Sequence, residues 1–145
     1  MMKYPTVEAT LSDVDWANIL AQHRFLYLVY QNLHWLSRGS DFYGDHLLFE
    51  RLYKKLIDEV DQIAERAVGL AGDQTVELTV LCAHLQELAQ AGVSMDLAIE
   101  IEQAIAVILQ QAEQMVDSLG AKDLLASLAS SREEDLYLLG RRAQA

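Results

Sequence analysis

Residues 34–66 read HWLSRGSDFYGDHLLFERLYKKLIDEVDQIAER and hold most of the side chains that could bind a metal ion at a usable spacing. His34 stands just before a break in the helical pattern at Gly39 and Gly44. The helical run after this break carries four more residues of ligand type: His46, Glu50, Asp61 and Glu65. Each residue of an α-helix turns the side chain by about 100°, so these four fall within an arc of roughly 100° on one face.

This spacing predicts two separate half-sites. Glu50 and Asp61 would lie about 16 Å apart along a helix axis, far beyond the ~2 Å of a coordination bond. The midpoint in the sequence between His46 and Glu65 falls between residues 55 and 56. Glu50 and Asp61 share that centre. If two copies of the helix pack antiparallel across a two-fold axis at this point, each half-site faces the other half-site of the second copy. We therefore hypothesise a complete metal site between chains.

The composition limits the class of protein and its partners. With 145 residues, 52% hydrophobic content and one proline, the chain is long enough for one domain with a substantial core. The 22 acidic and 11 basic residues give a formal net charge of −11. This charge repels nucleic acid and anionic membrane surfaces and attracts cations. We expect a single domain over residues 1–145, metal cations as partners, and little or no binding to DNA or membranes.

Cysteine content and hydropathy indicate the cellular compartment in which the protein is expected. The single cysteine, Cys82, excludes a disulfide framework within the chain and fits a reducing environment. The first ten residues, MMKYPTVEAT, lack the apolar stretch of a signal peptide. The apolar runs at 25–30 and 104–109 are far shorter than the roughly 18 residues that span a bilayer. We therefore expect a soluble, cytoplasmic protein.

The spacing of apolar residues predicts helices and no strands. An extended N-terminal arm is expected over residues 1–11, before a helix that Ser12 caps and that runs to about Ser37. Asp13 and Asp15 would sit favourably near the positive end of its dipole. The predicted buried stripe of this first helix repeats at three- and four-residue steps: Trp16, Ile19, Leu20, His23, Tyr27, Tyr30 and His34.

The turn that Gly39 and Gly44 bracket is expected to lead into a second helix, which runs to about Leu70. Gly69 and Gly72 are predicted to end it, because glycine adopts the left-handed cap conformation at little cost. The predicted core stripe of this helix lies beside the ligand face: Phe49, Leu52, Tyr53, Leu56, Val60, Ile63, Ala67 and Leu70.

Residues 73–93 predict a long crossover that contains a short helix over Glu77–Ala89. A third long helix is expected from Ser94 to about Leu119 and, after Gly120, a fourth over residues 122–139. The predicted inward positions of these two helices are Leu97, Ile101, Ala104, Ile105, Ile108, Ala112, Met115 and Leu119, and then Leu124, Leu125, Leu128, Leu136 and Leu139. The predicted fold class is an all-α four-helix bundle with one long crossover carrying a short extra helix.

Several motifs along the chain carry a family resemblance. They are His34-Trp35-x-x-x-Gly39, His46, Glu50, Asp61-x-x-Ala64-Glu65-Arg66, Asp123-Leu124-Leu125 and Tyr137. In this order they resemble the signature of the Dps family, the ferritin-like mini-ferritins named for DNA protection during starvation. The similarity covers most of the chain. Four positions depart from the family pattern without touching a ligand: Ser37, Asp45, Ala71 and Tyr137.

The resemblance implies a ferritin-like bundle that assembles into a hollow dodecamer, oxidises Fe(II) with hydrogen peroxide or dioxygen, and stores ferric mineral, thereby protecting against oxidative damage. It implies a site for one or two iron ions, and other divalent metals such as zinc or manganese also suit such ligands. The implied ligands are His34, His46 and Glu50 from one chain, and Asp61 and Glu65 from its two-fold mate. Asp123, with Asp117 as a weaker companion, is implied as a pore residue, and Trp35 as a residue that intercepts an oxidising equivalent.

Several of these residues also have a simpler structural interpretation. The acidic face of the second helix could be a solvated surface with pairs of the Lys54–Asp58 type. His23 and His84 are interpreted as structural histidines. Packing is an equally good role for Trp35. Asp58 and Glu59 are possible mineral-nucleating acids, although the neighbouring lysines weaken that reading.

Three other functions are possible for such a chain. An intrachain di-iron enzyme would need Glu-x-x-His on two helices, and the sequence contains no Glu-x-x-His. A DNA-compacting protein would need basic tails, whereas the N-terminal arm holds only Lys3 and the C-terminal end offers Arg141 and Arg142. A shell protein that has kept the fold but binds no iron is the third alternative.

Overall fold

The computed structural model describes residues 14–90 and 92–144. The elements of this part of the chain, in order, are α1 (Trp16–Leu36), α2 (Phe42–Ala71), a 3₁₀ helix (Asp73–Val76), α3 (Leu78–Leu88), α4 (Met95–Met115) and α5 (Leu119–Ala143). No strand occurs in the described residues. The four long helices form the bundle, and α3 lies within the long connection between α2 and α4. The predicted fold class is confirmed.

α1 begins later than predicted. Asp15 is its N-cap, and the Asp15 carboxylate accepts a hydrogen bond of 3.0 Å from the Asn18 backbone N–H. A short acidic side chain in this position satisfies one of the free N–H groups of the first turn. The predicted Ser12 cap and the predicted arm over residues 1–11 lie outside the described residues.

Glycine positions account for most of the boundary errors. Gly39 and Gly72 have positive φ angles of +87° and +100°, and these two residues lie in the turn before α2 and at its C-cap. Gly44, Gly69 and Gly120, by contrast, lie inside helices. Glycine costs a helix interior only about 1 kcal/mol, which packing easily offsets. The predictions that Gly44 and Gly69 bound α2 and that Gly120 separates the last two helices were therefore wrong.

The bundle consists of two helix pairs, α1 with α2 and α4 with α5, and α3 packs on α1. Most predicted stripe positions are buried. Four predicted inward residues are instead exposed: Leu70, Ala104, Met115 and Leu119. α4 ends at Met115 and a new cap at Ser118 starts α5, so Leu119 points outward from a first turn. Within the described ranges, no helix combines the length and the apolar character that a membrane span needs.

Candidate metal centre

The turn between α1 and α2 places two histidines face to face. His34 lies in the last turn of α1, and His46 lies in the second turn of α2. Gly39 supplies the left-handed conformation that lets the chain reverse over this short distance. The two imidazole rings stack with centroids 3.7 Å apart and planes 16° from parallel.

Reciprocal hydrogen bonds hold both rings in one orientation. His34 Nδ1 lies 2.7 Å from the backbone oxygen of His46, and His46 Nδ1 lies 2.8 Å from the backbone oxygen of His34. A carbonyl oxygen can only accept, so each Nδ1 donates its N–H, and in the neutral imidazole each Nε2 then has a free lone pair. Metal-binding histidines are commonly oriented by such a hydrogen bond to a backbone carbonyl. The pair therefore offers two preorganised nitrogen ligands.

Glu50 lies one helical turn after His46 on the same face of α2. Lys54 Nζ donates a hydrogen bond of 2.6 Å to Glu50 Oε1. This hydrogen bond, together with the positive charge of Lys54, lowers the pKa of the Glu50 carboxyl below its usual range. His34 and His46 are close enough to act on the same carboxyl. The ionised Glu50 carboxylate lies one helical turn from His46 and pairs with Lys54 rather than with Asp58.

Asp61 and Glu65 lie on the same uninterrupted helix and are exposed to solvent. Asp61 lies eleven residues beyond Glu50, which corresponds to about 16 Å of helix rise. In residues 14–90 and 92–144, no three His, Cys, Asp or Glu side chains come close enough together to hold a metal ion. Glu50 therefore does not join His34 and His46 in a preformed three-ligand group, and Asp61 and Glu65 lie farther along the helix.

Apolar side chains accompany the ligands on the exposed face of α2. Tyr43 is 72% exposed, Leu47 43% and Ile57 50%. At about 100° per residue, all three fall within the arc that runs from His46 to Glu65. Large apolar groups clustered with ligand-type residues on a solvent-facing helix are typical of a surface that another protein covers.

The predicted pore and redox residues are also exposed. Asp123 lines a cavity of about 560 Å³ between α2 and α5, together with Glu65 and Arg66. Gly120 has no side chain and so leaves room there for the Arg66 guanidinium. Asp117 lies in the short segment between α4 and α5. Trp35, beside His34, is 62% exposed.

Sequence reasoning missed a buried group of charges. Arg132 of α5 lies inside the bundle among acidic side chains from three helices, with a histidine from α1 nearby. We call this group the Arg132 cluster: Arg132, Glu59, Glu102, Asp135 and His23. Glu59 is therefore not a cavity-facing acid available for mineral nucleation, as the sequence had suggested, because it is buried and pairs with Arg132.

One signal in the sequence could have revealed the cluster. Glu102 lies one residue after Ile101 in an apolar run, and Arg132 lies four residues after Leu128 on the predicted core side of the last helix. Charged residues at core positions normally occur in pairs, so two of opposite sign predict a buried ion pair. The predicted stripes omitted both residues.

None of the protein-family models compared with the chain matches it. A relative from Synechococcus sp., named nutrient stress-induced DNA-binding protein, is 31% identical over 127 residues, which cover 81% of this chain and 72% of the relative. The chain belongs to the Dps family.

Solved Dps structures agree with this assignment. Dps from Microbacterium arborescens in the high iron form superposes with a TM-score of 0.81 and 19% identity, covering 100% of this chain and 99% of that one. A Vibrio cholerae Dps protein, described as a member of a broad superfamily of ferritin-like diiron-carboxylate proteins, has a TM-score of 0.79 and 18% identity, covering 92% and 89%. Identities this low show the fold alone, which is the ferritin-like four-helix bundle. The name of the Synechococcus relative gives no support to the expectation that the chain avoids DNA.

Proposed function

We propose that this Dps-family chain is a ferroxidase whose active site forms between two copies. One copy contributes His34, His46 and Glu50, and the second copy contributes Asp61 and Glu65. The observation that carries the proposal is the reciprocal hydrogen bonding of His34 and His46, which leaves both Nε2 atoms free beside an ionised Glu50. No three ligand-type side chains are gathered into a metal site within the described residues, and Asp61 and Glu65 are exposed, so on this proposal a second copy completes the site.

The ligand chemistry suits Fe(II) as a substrate. Imidazole nitrogen and carboxylate oxygen bind divalent iron, and the charge of the carboxylates favours the ferric product. Five protein ligands spread over one or two iron ions leave coordination positions open for hydrogen peroxide, which we propose as the oxidant. The exposed apolar residues Tyr43, Leu47 and Ile57 would pack against the second copy and keep the ligands together.

The same proposal includes storage. A closed assembly of such dimers, which we propose to be a hollow dodecamer, would retain the ferric product as mineral. Iron would enter beside Asp123, because a ring of carboxylates concentrates cations at a narrow opening. Glu65 lines the same cavity as Asp123, so this opening also lies next to one of the proposed ligands.

Anaerobic Fe(II) titration in a calorimeter tests the site. We expect saturable binding of one or two Fe(II) ions per site, followed by rapid oxidation on addition of hydrogen peroxide. His34→Ala should abolish both. His84→Ala is the matched control, since His84 is half-buried on α3, away from this face, and should leave both unchanged. Weak, non-saturable heat from the unsubstituted protein would support the alternative of a shell without ferroxidase activity.

DNA binding is the second candidate function, because the Synechococcus relative is named a DNA-binding protein. The net charge of −11 opposes it, since the phosphate backbone is attracted only to basic surfaces. Any binding should therefore depend on divalent cations that bridge two negative surfaces. We assign the ferroxidase function to the chain and treat DNA binding as a separate question for experiment.

A further inference from the structure

The C-terminal end of α5 lies against the start of α2. Arg142, in the last turn of α5, pairs there with two carboxylates. Its Nε donates to Asp45 Oδ1 at 2.6 Å, and its Nη2 donates to Asp45 Oδ2 at 3.1 Å and to Asp41 Oδ2 at 3.0 Å. Two hydrogen bonds from one guanidinium to the Asp45 carboxylate fix the direction of the contact as well as its length.

Asp41 takes part in this contact instead of capping its own helix. It is the N-cap residue of α2, a position where an aspartate normally accepts a hydrogen bond from a backbone N–H of the first turn. Asp15 makes such a bond at the start of α1. The Asp41 side chain caps no N–H of α2 and accepts a hydrogen bond from Arg142. The first turn of α2 is therefore held by α5 rather than by its own cap residue.

The turn that Arg142 holds also carries one histidine of the pair. Asp45 directly precedes His46, and the centroid of the Phe42 ring lies 5.0 Å from that of the His46 ring. The two hydrogen bonds between His46 and His34 are 2.7 and 2.8 Å long, and such bonds weaken beyond about 3.2 Å. A displacement of this turn by about 0.5 Å would therefore loosen both rings.

Another ion pair between the same two helices serves as a comparison. Arg51 of α2 pairs with Glu134 of α5 about two helical turns beyond Asp45. The side chains of Arg51 and Glu134 are 66% and 52% exposed, so water competes strongly for this pair. The side chains of Arg142 and Asp45 are only 31% and 15% exposed. Their pair is better shielded from water and should hold the helices together more strongly.

We propose that Arg142 is a positioning residue for the histidine pair. Its ion pairs with Asp41 and Asp45 fix the first turn of α2. That turn in consequence keeps the His46 ring in its reciprocal hydrogen bonds with His34. Resting on the ferroxidase function proposed above, Arg142 also raises the affinity of the pair for a metal ion, although it does not itself bind one. The orientation of the two rings does not depend on that function.

Chemical labelling of the histidines tests the positioning without any metal. Diethyl pyrocarbonate acylates an unprotonated imidazole nitrogen, and mass spectrometry of peptides from the full-length protein measures the rate at each histidine. Arg142→Gln should raise the rates at His34 and His46 about fivefold, because the rings would leave their stack more often once the ion pair is lost. The other two histidines of the chain are internal references, since the fully buried His23 and the half-buried His84 should keep their rates. An unchanged rate at His46 overturns the proposal, and so does an equal rise at His23, which would indicate general unfolding.

Matched variants separate the ion pair from a general effect of losing an arginine. Asp45→Asn should reproduce the rise, and it carries the test if circular dichroism shows that Arg142→Gln does not fold. Arg142→Asp combined with Asp45→Arg reverses the pair and should return both rates to within about twofold of those in the unsubstituted protein. Arg51→Gln removes the comparison pair and should change neither rate. The proposal is wrong if Arg51→Gln raises the rates as much as Arg142→Gln, if the reversed pair gives no recovery, or if both single variants fail to fold.

Co(II) binding gives a second readout, in which positioning and charge act in opposite directions. Removing a positive charge near the site would by itself strengthen the binding of a cation. Loss of the ring positions weakens it, so Arg142→Gln should raise the Kd for Co(II) about fivefold, and the reversed pair should restore it. Unchanged or tighter binding by Arg142→Gln overturns the effect on metal affinity. If the unsubstituted protein binds no Co(II), the ferroxidase proposal fails, while the labelling rates still decide the role of Arg142.

Discussion

Glu102→Gln should change how the stability of the protein depends on pH. Burial is the main cause that raises the pKa of Glu102 from 4.5 to about 9. The charge of Arg132 acts in the opposite direction, and the charge of Asp135 raises the pKa further. The folded chain therefore keeps a proton on Glu102 at neutral pH, while the unfolded chain does not. The Tyr30 hydroxyl donates to Glu102 Oε1, so the carboxyl is held on both oxygens. Glutamine resembles the protonated carboxyl and has no proton to lose.

The size of the effect follows from linkage. A raised folded-state pKa contributes stability that is fully present below about pH 4.5 and is lost as the pH rises toward 9. Within this pH window the free energy of unfolding of the unsubstituted protein falls by about 1.4 kcal/mol per pH unit. Between pH 5 and pH 7 the free energy of unfolding of Glu102→Gln should therefore rise by roughly 2–3 kcal/mol relative to the unsubstituted protein. For a chain of this size, that corresponds to a relative rise in Tm of about 5–10 °C.

Thermal melting at pH 5, 6, 7 and 8, with both proteins iron-free and at equal concentration, measures the difference in Tm. Glu134→Gln is the control, since the exposed Glu134 pairs with Arg51 at the surface and should show no such trend. A difference in Tm between Glu102→Gln and the unsubstituted protein that stays constant over this pH range, or that falls as the pH rises, would refute the reasoning.

Three further predictions concern the surface of the protein and its charge. Asp123→Asn should slow iron uptake at low Fe(II) while leaving circular dichroism unchanged, and equal uptake rates would argue against a pore role. Lys54→Gln should free Glu50 from a competing ion pair and tighten anaerobic Fe(II) binding only about twofold, because exposed ion pairs are weak. Weaker binding would show instead that Lys54 positions Glu50. Linear duplex DNA at physiological salt should show no gel shift with the protein when divalent metal is absent. A retained band under these conditions would overturn that expectation. A shift seen only with Mg²⁺ would indicate bridging by the ion.

The fold could be predicted because its helices carry apolar residues at three- and four-residue steps, and Ser94 marks a helix start that the structure confirms. Helix ends were harder to predict, because glycine permits a break without requiring one. Gly72 breaks α2 with a positive φ angle, whereas Gly69, three residues earlier, continues the helix. Glycine is compatible with both conformations, so the local sequence does not show which of the two positions leaves the helix.

The candidate site could likewise be predicted only in part. The spacing of His34 and His46 predicted two ligands near one turn, but the reciprocal hydrogen bonds that orient the rings depend on how that turn closes. The Arg132 cluster was missed because its members lie far apart in the sequence. Glu59, Glu102 and Arg132 come together only when their helices pack. Periodicity identifies apolar faces and cannot reveal which buried charges pair.

The most direct test of the site between chains is complementation of two inactive variants, His34→Ala and Asp61→Ala. In a mixed dimer one site carries both substitutions and the other carries neither, because each site takes His34 from one chain and Asp61 from the other. Random co-assembly should therefore restore roughly a quarter of the sites, since about half of the dimers are mixed. Mass spectrometry confirms the mixing, and peroxide-dependent Fe(II) oxidation gives the activity. Activity near a quarter of that of the unsubstituted protein is the predicted result, and mixed shells as inactive as either parent would contradict a site shared between chains.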